Sequence, residues 1–235
     1  LAVVLVITVL LNLAAMLEVL WLLFALAVLL YTLGPRHLEN DIDAVLHAVD
    51  AADRDSAVQA LRVHPDDPPL PLTAPALVEA SVYSALHRRF GVLLWFFLLG
   101  PVGALGYRLV QLLAEDPTDD AQSRVAARHL ADLLNWLPAH MMVFAMALVS
   151  DFDAVLKSWR HWHSAPTRPP WTFDVGFLGA VARAGVDADV VAGDGYAEDT
   201  SDPLLELSDM RRLMLRVLMV WLAVMALLVL AHWVA

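Results

Sequence analysis

The sequence predicts an all-α polytopic membrane protein, a bundle of about five spanning helices with amphipathic cytoplasmic helices between them. Of the 235 residues 60% are hydrophobic, whereas a soluble domain is about 45–50% apolar. Mean hydropathy is +0.63 and only 17% of residues are charged. The apolar residues also gather into long runs, and about 20 suffice to cross about 30 Å of hydrocarbon at a rise of about 1.5 Å per residue. The absence of cysteine excludes a disulfide framework and any thiolate metal site. A net charge of −11 argues against nucleic acid and against a polybasic lipid-binding surface, and assigns the acidity to solvated loops. The chain starts at Leu1 inside an apolar run, so the natural N-terminus is expected upstream.

Residues 1–33 form one apolar run interrupted only by Asn12 and Glu18. As a single helix it would be about 50 Å long, too long for one crossing without extreme tilt. The expectation is two spans, the first truncated, with a tight turn near Asn12–Glu18. Glu18 would open the second, where a carboxylate complements the helix dipole, and Gly34-Pro35 would end it. The third span is expected over Phe90–Leu113, the fourth over Leu130–Ser150 and the fifth over Leu213–Ala235. Residues 90–150 thus form a two-span polar core, and 213–235 the C-terminal span. The long segments 34–89 and 151–212 carry most of the arginines, from Arg36, Arg54, Arg62, Arg88 and Arg89 to Arg211 and Arg212. The short loop 114–129 has only Arg124 and Arg128. Excess Lys and Arg marks the cytoplasmic side, so alternation places both long segments there and the short loop outside.

Within 34–89, Leu38, Ile42, Val45, Leu46 and Val49 recur at helical spacing. Asp55-Ser56 suggests the cap of a second short helix to His64, and Thr73 can cap a helix through Ala76–Phe90 that runs on into the third span. Segment 151–212 is proline-rich at 165–170 and helical in pattern over Val175–Ala184. From Asp187 to Asp209 it is acidic and reads as a flexible linker.

Ionisable residues inside spans cost several kcal/mol unless paired or wetted, which makes them functional candidates. Arg108, Asp132, Asn135 and His140 form this intramembrane polar core. Arg108 and Asp132 fall near one depth across the short loop and are expected to pair, although Arg108 could instead snorkel. Asp132, Asn135, Trp136 and His140 share one broad helix face, and Pro138 leaves the carbonyl of Leu134 without its helical partner. Pro101 does the same for Phe97, while the glycines at 100, 103 and 106 suit a kinked, closely packed interface. Trp159, Arg160, His161, Trp162 and His163 suit an interfacial belt better than a metal site, because His161 and His163 point to different faces. Glu115, Asp116, Asp119 and Asp120 could hold Mg²⁺, but carboxylates in a short exposed loop usually hydrate. No resident metal is expected, and no nucleotide-loop or hydrolase motif occurs.

Three stretches carry a family resemblance: TLGPRHLENDI, ALVEASVYSALHRRFGVLLWFFLLGPVGALGYRL and ARHLADLLNWLPAHMMVFAMALVSDFDAVLKSWR. Over about Thr32 to Ala184 they resemble AmpE, an inner-membrane protein associated with β-lactamase regulation, within the CobD/CbiB (adenosylcobinamide-phosphate synthase) superfamily. The matched residues are Glu79, Tyr107, Arg108, Asp132, Asn135 and Pro138. The chain departs from the synthase pattern at Tyr83, Ser84 and His87, at Gln111–Ala114, at His140 and in Ser164–Trp171. The resemblance implies a multi-pass bacterial inner-membrane protein that acts by protein contact in envelope or antibiotic-response regulation and needs no cofactor. Its partners would be lipids and another membrane protein or a second copy. The alternative it implies is an ATP- and Mg²⁺-dependent corrinoid amide-bond synthase, with Glu79 contacting metal or nucleotide and Arg108 clamping phosphate.

Overall fold

The computed structural model describes residues 2–34, 38–63, 68–115, 121–164, 173–196 and 202–234, and among these all regular structure is helical. Four described helical stretches, counted along the chain whether or not they bend, are long and apolar enough to cross a membrane, fewer than the five spans expected. The difference begins at the N-terminus, where α1 (Ala2–Leu33) is one uninterrupted helix. Its sequence holds neither glycine nor proline, and a lone Asn or Glu lowers helix propensity too little to break a run of leucine, alanine and valine. No turn forms at Asn12–Glu18. From Met16 onward α1 exposes Leu17, Leu20, Leu22, Phe24 and Leu30, as a helix surrounded by hydrocarbon does.

Two short helices, α2 (Leu38–His47) and α3 (Ala51–Gln59), follow as a polar cap. Leu38, Ile42 and Val45 fall on one face of α2 and are buried. The carboxylates between them face arginines: Glu39 pairs with Arg89, Asp41 with Arg88, and Asp43 with Arg211 at 2.6 Å. The start of α3 lies at Asp50, five residues before the expected Asp55-Ser56 cap, and Asp50 makes no side-chain capping bond.

Helix α4 (Ala74–Ala85) begins after Thr73 and runs without interruption through a π-helical turn (Leu86–Phe90) into α5 (Gly91–Glu115), as the sequence suggests. The third span is nevertheless not straight. Gly100 adopts φ +67°, ψ −155°, a conformation open to glycine and strongly disfavoured for residues with a side chain. Beyond it the chain returns along itself. Tyr107 lies against Gly91, Gly103 against the backbone of Trp95, and Gln111 Nε2 donates to the carbonyl of His87 at 3.1 Å. In a straight helix Gly91 and Tyr107 would be about 24 Å apart. Pro101 opens the returning arm, where its missing N–H costs nothing. The expected kink is therefore a full helical hairpin with arms 91–99 and 101–115, about 14 and 22 Å long.

Helix α6 (Ala121–Val149) packs chiefly against α5. It is followed by α7 (Phe152–His163), whose N-cap Asp151 accepts from the Ala154 amide at 2.7 Å. Helix α8 (Phe177–Ala192) ends at Gly193 in the left-handed region, and α9 (Pro203–Val234) begins well before Leu213. Among the described residues the stretch expected as an acidic linker is largely helix, with α8 running to Ala192 and α9 starting at Pro203, and residues 197–201 lie outside them. Asp189 lies in α8, is buried, accepts from Ser150 Oγ at 3.0 Å and pairs with Arg216 of α9. Asp209 is also buried and accepts from the Tyr196 amide at 2.6 Å. The core is formed where α4, α6, α8 and α9 meet, around Leu77, Phe90, Met146, Phe177, Leu207 and Met210. Beyond Trp221 the leucines of α9 are exposed.

Ser84 and Glu115 line one cavity, so the hairpin leaves and returns to the same level. Strict alternation, which set loop 114–129 opposite the long segments, fails for this pair of arms. The chain has no native cysteine, so Asp55→Cys and Arg124→Cys can be labelled without background. Both should react with an impermeant maleimide from the same face of sealed vesicles; labelling from opposite faces would refute the fold-back.

Candidate functional site

The fold-back creates a polar cluster at the π turn. Tyr107 is buried beneath Gly91 and its hydroxyl donates to Asn135 Oδ1 at 2.6 Å. Asn135 Nδ2 lies 3.3 Å from His87 Nε2. Gln111 bridges the arms, donating to the His87 carbonyl and accepting from Arg108 Nη1 at 3.0 Å. A π turn disturbs the regular helical pairing, so a side chain that reaches one of its carbonyls stabilises it. Proline 138 leaves a second such group, and the Trp95 indole donates to the Leu134 carbonyl at 3.1 Å. The carbonyl freed by Pro138 and one carbonyl of the π turn thus each accept a side-chain donor from the hairpin, which suits an apolar environment.

Beside the cluster is a cavity of about 270 Å³. Thr32 of α1 and Val63, after α3, form one side; Ser84, His87 and Arg88 form another; Arg108 and Glu115 of the returning arm complete it. Arg88 is engaged by Asp41 and by the Ala60 carbonyl at 3.1 Å. Thr32 donates back to its own helix at Val28, 2.9 Å away. Among the described residues Ser84 Oγ is buried without a hydrogen-bond partner.

The residues singled out from sequence divide between several places. Arg108 reaches the cavity, but it bonds to Gln111 one turn on and not to Asp132, so the expected pair is not formed. Its position on a returning arm explains this: Asp132 is exposed on α6 while Asn135 turns inward to Tyr107. The broad shared face therefore splits, with Asn135 buried and Asp132 and Trp136 outward. His140 is elsewhere. Its Nδ1 contacts the Trp136 carbonyl at 2.8 Å, and its ring packs 4.5 Å from Phe177 and 6.2 Å from His163. Pro138 is buried in α6, whereas Glu79 is paired with Arg183 of α8 at 3.0 Å. Among the described residues no three His, Asp or Glu side chains are grouped to hold a metal; Asp116, Asp119 and Asp120 lie outside them.

Sequence reasoning missed Ser84, His87 and Gln111 as cavity and network members, since only the reversal at Gly100 brings positions 84–87 to positions 108–115. It also missed the Arg216–Asp189 pair, although an arginine inside the expected fifth span was a usable signal. Replacing Asn135 by Leu strips acceptor and donor from Tyr107 and His87 together and should cost about 1–3 kcal/mol. Tyr107→Phe should cost less, and the double variant less than the sum, read by denaturant unfolding in detergent. The chain matches no family model, no curated protein and no solved structure.

Proposed function

We propose that the protein is an AmpE-like regulatory or accessory protein of the bacterial inner membrane that acts by contact, with the α2–α3 cap as its presenting surface. The observation behind this is the arginine clamp. Three carboxylates of one short helix hold Arg88 and Arg89, at the base of the hairpin, and Arg211 of α9. A displacement of either membrane element therefore carries the cap with it. The side chains in the Arg88 and Arg89 pairs are 14–25% exposed, so they retain more Coulombic strength than surface pairs. The partner is a second membrane protein or a second copy, and the resemblance assigns the process to envelope or antibiotic-response regulation.

One observation favours an enzyme of the corrinoid synthase type: Arg108 opens onto a cavity. Against it, Glu79 is engaged by Arg183 on α8, so the two residues which that chemistry needs together are served by different neighbours. Protein purified from native membranes in mild detergent should bring down a stoichiometric partner or self-associate. Asp41→Asn with Asp43→Asn should weaken that association about tenfold or more, equivalent to about 1.4 kcal/mol, with helicity retained. A strictly monomeric, partner-free protein refutes the contact role. ATP-dependent product formation with Mg²⁺, an aminopropanol phosphate and a corrinoid acid would establish the enzyme instead.

A further inference from the structure

The cavity beside the hairpin has more hydrogen-bond donors than acceptors. Among the described residues the Arg108 guanidinium meets one acceptor, Gln111, although it carries five N–H groups. Ser84 is 1% exposed, lines the same cavity and, among the described residues, has no partner for its hydroxyl. The carboxylate of the lining, Glu115, already has a partner. The buried hydroxyl is costly until an acceptor enters, and the half-buried guanidinium holds further donors available to the same space. A ligand that serves both brings oxygens and negative charge, and arginine's fork matches phosphate.

A second space borders the first. A groove of about 290 Å³ is lined by Leu33, Leu38, Leu93, Leu218 and Leu222 together with Arg88 and Arg89, and it shares Leu33 and Arg88 with the polar cavity. Both arginines of the groove are held by carboxylates of α2, so its remaining surface is leucine. Each space alone is near the lower end of the range for ligand pockets, about 300–1,000 Å³. Side by side they have the form of an amphiphile site, polar at one end and hydrocarbon at the other.

We infer that the cavity and the groove together bind one anionic phosphate-headed lipid. Its phosphate accepts from Arg108 and Ser84, and one hydrocarbon chain lies along Leu33, Leu93, Leu218 and Leu222. This inference stands independently of the contact role of the cap. The charge of the occupant follows from the donor excess, and its chain from the apolar groove at the same wall.

Retention of lipid on the purified full chain, measured by native mass spectrometry from mixed micelles, tests it. Phosphatidylglycerol should be retained in preference to phosphatidylcholine, whose phosphate is offset by a cationic choline. Arg108→Gln should lower phosphatidylglycerol retention about tenfold or more, and Arg108→Lys, which keeps the charge, should lower it less. Leu222 is 46% exposed, so Leu222→Trp can fill the groove without disturbing the core and should also reduce retention at unchanged helicity. Equal retention of the two lipids, or no effect of Arg108→Gln in folded protein, overturns the inference. So does a result in which inorganic phosphate binds in an Arg108-dependent way while Leu222→Trp leaves phosphatidylglycerol retention intact, because the site then takes a soluble oxyanion.

Discussion

The reversal of the chain at Gly100 is the constraint on which the rest depends. One residue with φ +67° turns what would be a long apolar rod into two antiparallel arms. The close approach of the arms then fixes the residues that can occupy their seam. A Cβ at Gly91 would occupy the place of the Tyr107 hydroxyl, and one at Gly103 would strike the Trp95 backbone. Because the seam is so narrow, polar side chains of the returning arm reach backbone groups of the outgoing one. Without the reversal, Tyr107, Arg108 and Gln111 would lie far along the helix axis from His87, and neither the network nor the cavity would exist.

The polar groups at the seam keep backbone hydrogen bonding closed where helical geometry opens it. Proline 138 and the π turn each disturb helical pairing, and Trp95 and Gln111 each supply a donor there. In an apolar surrounding such repairs matter more than their net value in water, because an unmet carbonyl loses its full solvation. Ser84 stands apart from these satisfied groups, since among the described residues its buried hydroxyl has no partner, and Arg108 lines the same cavity. A different kind of closure operates at the cap, where α2 neutralises three arginines that would otherwise sit unpaired beside apolar helices. Its apolar face is buried at the same time, so charge and burial act together to hold a ten-residue helix too short to be stable alone.

Much of the helical content was legible because it rests on local signals. Periodicity located α2, Thr73 marked the start of α4, and the apolar runs found the bodies of α6 and α9, whose polar first turns begin at Ala121 and Pro203, well before the expected Leu130 and Leu213. Local reading failed at α1, where length was taken to demand a turn that no residue type enforces. It failed again from Asp187 to Asp209, where acidity suggested a linker. Asp189 instead finds Arg216, 27 positions away, and a long-range partner leaves no mark in the local composition. For the candidate site, Arg108 and Asn135 were recognised as ionic or polar residues in apolar surroundings, but Arg108 was paired with Asp132 and Asn135 was given no partner.

Composition and periodicity by themselves determined that this chain is helical and holds runs long and apolar enough to cross a membrane, where backbone polar groups must be satisfied internally. They also determined that glycine and proline interrupt the third apolar run, since both act through the local backbone. Only the tertiary structure decided that the interruption is a reversal, that Arg108 turns to Gln111 and a cavity and not to Asp132, and that Ser84 has no partner among the described residues. Those outcomes depend on which distant segments become neighbours, and the angle of one glycine sets that spatial relation.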